Sequence, residues 1–145
     1  MESVFLIILV GLAGGIAVGL QSPLASLLSQ RLGMLESVFI VHLGGAILSL
    51  LLLLLIGGGK LGLWRSAPWY ALGAGAFGLV VIVAISFTIP RVGAAAAITS
   101  IVAGQVLVSA LLDQFGLLGV AARPLDVPRV LGLAVVMLGV WLTVK

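Results

Sequence analysis

The sequence predicts an all-α integral membrane protein with five transmembrane helices, and three observations carry the prediction. Hydrophobic residues make up 63% and charged residues 8% of the 145 positions, far above the near-half apolar content of a soluble domain. The apolar residues gather at 4–28, 35–56, 68–89, 94–112 and 128–144, each stretch near the ~20 residues a helix needs to cross the hydrocarbon core. Pro, Gly and charged residues punctuate every gap between them. The whole chain, 1–145, is therefore read as a single transmembrane domain, with no room for a separate soluble catalytic domain.

The first stretch reads as a retained span rather than a cleaved leader, because Met1-Glu2-Ser3 lacks a positive n-region and the apolar pattern continues to the end of the chain. Gly11, Gly15 and Gly19 make two overlapping small-xxx-small steps on it, which permits close approach of another helix. Pro23 has no N–H for the carbonyl of Gly19, so Gln21-Ser22-Pro23 predicts a kink that frees a backbone acceptor. Ser22, Ser26, Ser29 and Gln30 form a polar stripe that faces either a water-filled vestibule or a helix interface. On the second stretch Glu36 stands at the start, where a negative charge suits the helix dipole. His42 follows, with Gly45 and Ser49 along its face.

Trp64 and Trp69-Tyr70 bracket the entry to the third stretch and Trp141 lies near the end of the fifth, where aromatic rings favour the headgroup zone. The fourth stretch places Gln105, Ser109 and Asp113 within about 80° of one another on a helical wheel. Hydrocarbon penalises such a face, so it should point at protein or a cavity. Asp113 sits at the helix end, where its simplest role is an interfacial carboxylate or a partner for a nearby Arg such as Arg123. The fifth stretch, with Gly132 and Gly139 seven apart among Leu and Val, reads as a packing helix.

The separators are Gln30-Arg31-Leu32-Gly33, then Gly57-Gly58-Gly59-Lys60 through Arg65-Ser66, then Pro90-Arg91-Val92-Gly93, and finally 116–128. Loops this short make consecutive helices antiparallel neighbours. Five spans put the termini on opposite sides. Lys60, Arg65, Arg123 and Arg129 then share the N-terminal side, against Arg31, Arg91 and Lys145 on the other. Four against three is almost no positive-inside bias. Either the chain is held N-inside by a weak signal, or it inserts both ways and pairs with an inverted copy; the near balance favours dual topology.

The segments Gly14-Gly15 with Gly19-Leu20-Gln21, Pro90-Arg91-Val92-Gly93-Ala94-Ala95, Ala103-Gly104-Gln105, Asp113-Gln114-Phe115-Gly116-Leu117 and Arg129-Val130-Leu131-Gly132 resemble the bacterial YdcZ-like branch of the drug/metabolite transporter (DMT) superfamily, across nearly the whole chain. The resemblance implies a five-helix unit that forms one half of an inverted-repeat transporter in the bacterial inner membrane. Gln114 departs from the pattern, since many relatives carry His after the acid, and this argues against an Asp-His proton pair. The four-helix small multidrug relatives carry an acid mid-way along their first helix. None stands there in this chain.

Other chemistry is poorly supported. The chain has no Cys, which excludes disulfides, thiolate metal sites and cysteine nucleophiles; it also lacks Asn and so any N-glycosylation sequon. A lone His with no acidic partners does not make a metal site. Gly57-Gly58-Gly59-Lys60 superficially resembles a phosphate loop but follows a Leu run leaving the membrane. No enzyme, cofactor, metal or nucleic-acid partner is expected, because the net charge of +3 reflects scarce acids rather than a basic surface.

The expected function is movement of a small, neutral or weakly polar organic solute by an antiparallel homodimer or a pair with an inverted paralogue. Gln21, Ser22, His42, Gln105 and Ser109 are the candidate substrate contacts, and His42, Asp113 and Arg91 the candidates for coupling or gating. Gln105→Ala is expected to impair transport without loss of expression. The alternatives are a passive dual-topology channel and an accessory subunit of a membrane complex.

Overall fold

A computed structural model describes residues 3–57 and 60–145. Met1-Glu2 and the Gly58-Gly59 pair of the second separator lie outside the described residues. The elements are α1 (Val4–Leu32), α2 (Met34–Ile56), a 3-10 helix (Leu61–Ser66), α3 (Trp69–Leu72), α4 (Gly75–Val92), α5 (Ala94–Phe115), a short 3-10 turn (Leu117–Gly119) and α6 (Val127–Val144). Among the described residues five segments are long and apolar enough to cross a membrane, with α3 and α4 together making the third. The all-helical five-span expectation is met.

Helix boundaries differ from the sequence expectation in an instructive way. α1 continues to Leu32 and α4 to Val92, with Pro23 and Pro90 inside them. Neither proline ends its helix. The link between α1 and α2 is Gly33 alone, and that between α4 and α5 is Gly93 alone, at φ of +118° and +82°. Only glycine occupies such backbone conformations without strain. The Glu36 carboxylate folds back against Gly33, in the space a side chain there would need, so the α2 N-terminus keeps its negative charge beside it.

The chain divides into two compact units, residues 1–87 and 88–145. In the first, α1 packs along α2, and Ala25, Val38 and Ile82 form a small apolar cluster edged by Val41 and Val83. Ser22, Ser26, Ser37 and Ser86 are buried with them. The Ser37 hydroxyl donates to the Ala25 carbonyl at 2.8 Å, fully buried, an interhelical bond joining α1 to α2. Small buried residues are what membrane helices use where lipid supplies no hydrophobic drive toward packing. Burial of Ser22 and Ser26 turns the polar stripe of α1 toward a helix interface at those two positions.

In the second unit α5 packs along α6, and the connecting segment is tied back onto the end of α5. The Arg123 N–H donates to the Asp113 carbonyl at 2.7 Å, and the Leu125 N–H donates to Gln114 Oε1 at 2.5 Å. Asp126 caps α6, accepting from the Arg129 N–H at 2.9 Å, with Pro128 in the first turn, a strong N-terminal signature. The aromatic anchors are exposed, and two carry a cation: Arg65 lies 5.4 Å from the Trp64 ring centroid and Lys145 4.3 Å from that of Trp141.

Candidate functional site

Two of the residues singled out in sequence meet in one groove of the first unit. Gln21 on α1 and His42 on α2 line a cavity of about 420 Å³ together with Val41, Gly45, Gly78, Val81 and Ile82. By the 1.5 Å helical rise, Gln21 lies about 18 Å and His42 about 13 Å from the Gly33 turn, near the middle of a hydrocarbon core ~30 Å thick. Both side chains are exposed in the isolated chain.

The histidine is oriented by its own helix. Nδ1 lies 2.8 Å from the Val38 carbonyl; because a carbonyl only accepts, Nδ1 carries the proton and donates. That leaves Nε2 of the neutral ring as an acceptor. Nε2 sits over the bare α-carbon of Gly78, where a Cβ would approach it to 2.5 Å. Gly78 is thus what lets the Nε2 end of the ring approach α4. Reading the sequence did not single it out, because one glycine among 20 in a small-residue stretch carries no distinguishing signal.

Ser86 is a second residue the sequence reading passed over. It lies two turns beyond Gly78 along α4, is only 5% exposed, and among the described residues its hydroxyl has no hydrogen-bond partner. Pro90, four residues on, has no N–H for the Ser86 carbonyl. The spacing of Gly78, Ile82 and Ser86 at i, i+4 and i+8 was the available signal.

The other expected contacts fall elsewhere. Ser22 is 1% exposed and donates its hydroxyl to the Val18 carbonyl at 2.7 Å, so it packs rather than lines the groove. Gln105 is exposed on α5. Arg91 is exposed near the end of α4 and engaged within the protein. Ser109 and Asp113 line a separate cavity of about 410 Å³ in the second unit, with Val106, Ala110, Leu125, Arg129, Gly132, Leu133 and Val136; Gln105, on the same predicted stripe, is not part of its lining. The Asp113 carboxylate pairs with Arg129, at 3.9 Å, rather than with Arg123. Arg123 contributes backbone atoms instead, because its chain segment folds back onto α5 while Arg129 projects from the first turn of α6. Among the described residues no group of three or more His, Asp or Glu is placed to hold a metal ion.

Comparison with known proteins gives one match. Residues 6–142 fit the family profile DMT_YdcZ, described as "Putative inner membrane exporter, YdcZ". No curated protein and no solved structure matches. The profile covers all five spans and both grooves, so the chain is an inner-membrane protein of the YdcZ family within the drug/metabolite transporters.

Proposed function

We propose that the chain is one half of a secondary transporter, which pairs with an inverted second copy and exports a small, neutral or weakly polar organic solute. The observation that carries this reading is the groove at Gln21 and His42. Two polar side chains converge on one cavity at mid-membrane depth on helices long and apolar enough to cross the bilayer. Polar groups at that depth are costly unless protein or water covers them. A partner chain that covers the groove supplies a closed cavity with an amide and an imidazole Nε2 as its recognition groups. Gln105, exposed on α5, is a further candidate for contact with solute or partner. The four-to-three division of Lys and Arg between the two sides supports insertion in both orientations.

His42 is the group suited to couple transport to protons, since its Nε2 is an acceptor when the ring is neutral and a donor when protonated. With no acid in the groove, charge is poorly accommodated, and this favours uncharged solutes.

The test compares the growth medium of cells expressing the wild-type chain with that of cells expressing Gln21→Ala or His42→Ala, all at matched membrane levels. One or more solutes should accumulate outside wild-type cells and fall several-fold with either variant. Equal export by both variants would remove the groove from the pathway. The labelled solute, in liposomes, should then show counterflow; passage without counterflow would make the protein a pore. Reporters fused to Lys145 that are active on both sides of the membrane would establish dual insertion, and activity on one side alone would rule out pairing with an inverted identical chain.

A further inference from the structure

The cavity between α5 and α6 differs from the mid-membrane groove in being graded from charged to apolar along its length. At its outer end stand Asp113, two residues before the end of α5, and Arg129, in the first turn of α6. Ser109 lies one turn inward. At the inner end Val106 and Val136 are the lining residues, seven positions from Asp113 and Arg129 respectively, or about 10 Å along each helix. Ala110 and Gly132 are the small residues that leave the space open. A cavity charged at the membrane rim and apolar toward the bilayer centre is the shape of a site for an amphiphile.

The charges specify which amphiphile. The Asp113–Arg129 pair is loose, at 3.9 Å, with the two side chains 32% and 36% exposed. Arg129 Nη1 is directed to the Arg123 carbonyl at 3.0 Å. Among the described residues Asp113 Oδ1 and the Nε and Nη2 groups of Arg129 have no partner. One end of the cavity therefore offers a guanidinium edge, which binds phosphate oxygens well, and beside it a carboxylate oxygen free to accept from an ammonium. An anionic headgroup would satisfy the first and be repelled by the second. A zwitterionic headgroup satisfies both.

We infer that the α5–α6 cavity binds one zwitterionic phospholipid with a primary ammonium, of the phosphatidylethanolamine type. Its phosphate lies on Arg129, its ammonium on Asp113, its glycerol region beside Ser109, and the upper part of one acyl chain runs toward Val106 and Val136. The site assigns Asp113 and Ser109 to lipid rather than to solute, and stands whether or not the transport reading does.

The test is lipid retention. The detergent-purified protein is loaded from vesicles holding equal amounts of phosphatidylethanolamine and phosphatidylglycerol, and the lipid kept through gel filtration is counted by native mass spectrometry. One phosphatidylethanolamine per chain should be retained in preference to phosphatidylglycerol. Ala110→Leu, which fills the apolar part of the cavity, should abolish retention while the helical circular dichroism signal is unchanged. Arg129→Gln and Asp113→Asn should each weaken it by roughly tenfold, the factor expected when a charged hydrogen-bond partner is lost, and Asp113→Asn should also shift the preference toward phosphatidylglycerol. Equal or stronger retention of phosphatidylglycerol by the wild type would overturn the proposal, as would undiminished retention by a folded Ala110→Leu protein. So would displacement of the lipid by free glycerophosphoethanolamine, which would make this a site for a soluble zwitterion.

Discussion

The groove at Gln21 and His42 and the cavity at Asp113 and Arg129 both place polar side chains on helices surrounded by lipid, but at different depths and with different chemistry. Near the centre of the span the protein uses uncharged groups, holds the imidazole through Nδ1 to a carbonyl of its own helix, and sets the ring against a glycine. At the rim it uses a full ion pair, loosely closed and partly exposed. Depth explains the contrast. An ionised group costs several kcal/mol near the bilayer centre and little within reach of the headgroups. The deep groove should thus depend on shape and the rim cavity on charge, and substitutions can be chosen to break that distinction.

The largest effect is expected at Gly78. An added Cβ would stand 2.5 Å from His42 Nε2, so Gly78→Ala must swing the ring away from the Val38 carbonyl. The lost hydrogen bond and the crowding together should cost about 1–2 kcal/mol, read as a lower thermal midpoint of the detergent-solubilised protein. In a His42→Ala background the same change should cost almost nothing. A Gly78→Ala penalty that persists without the imidazole would show that the glycine serves helix packing in general and not the histidine.

Within the buried serine layer the two hydroxyls should behave oppositely. Ser37 donates to the Ala25 carbonyl, and Ser37→Ala should lose about 0.6 kcal/mol, the usual worth of an interhelical bond in a membrane protein. Ser86 has no partner among the described residues, and removing an unsatisfied buried hydroxyl relieves a desolvation cost. Ser86→Ala should accordingly leave stability unchanged or raise it by a similar amount. Matched destabilisation by the two variants, measured in the same unfolding assay, would contradict the assignment of Ser86 as unsatisfied.

What sequence alone made legible follows the same physics. The five spans were readable because hydropathy sums over about 20 residues, so no single position decides it. The ends were less readable: Pro90 looked like a stop, yet α4 runs two residues past it, since a membrane helix tolerates proline when neighbours or water satisfy the freed carbonyl. Gln21 and His42 were each visible as polar residues in apolar runs, but their meeting in one groove depends on how α1, α2 and α4 rotate about their axes. Spacing along one helix does not report that rotation. The pairing of Asp113 with Arg129 instead of Arg123 was hidden for a related reason, because it depends on how residues 116–126 fold back on α5.

The smallest effect on stability is expected at Asp113, and it is the one that most sharpens the contrast between depths. A partly exposed ion pair at 3.9 Å contributes little, commonly between 0 and about 1 kcal/mol. Asp113→Asn keeps the side-chain shape and leaves the backbone carbonyl that accepts from the Arg123 N–H in place. The connection between α5 and α6 is separately held by Gln114 and by the Asp126 cap. Thermal unfolding of Asp113→Asn should therefore fall within about 0.5 kcal/mol of wild type. A loss well beyond that would mean that the carboxylate holds the two helices together, and the rim charges would then be structural where their exposure and long separation argue that they are available to a ligand.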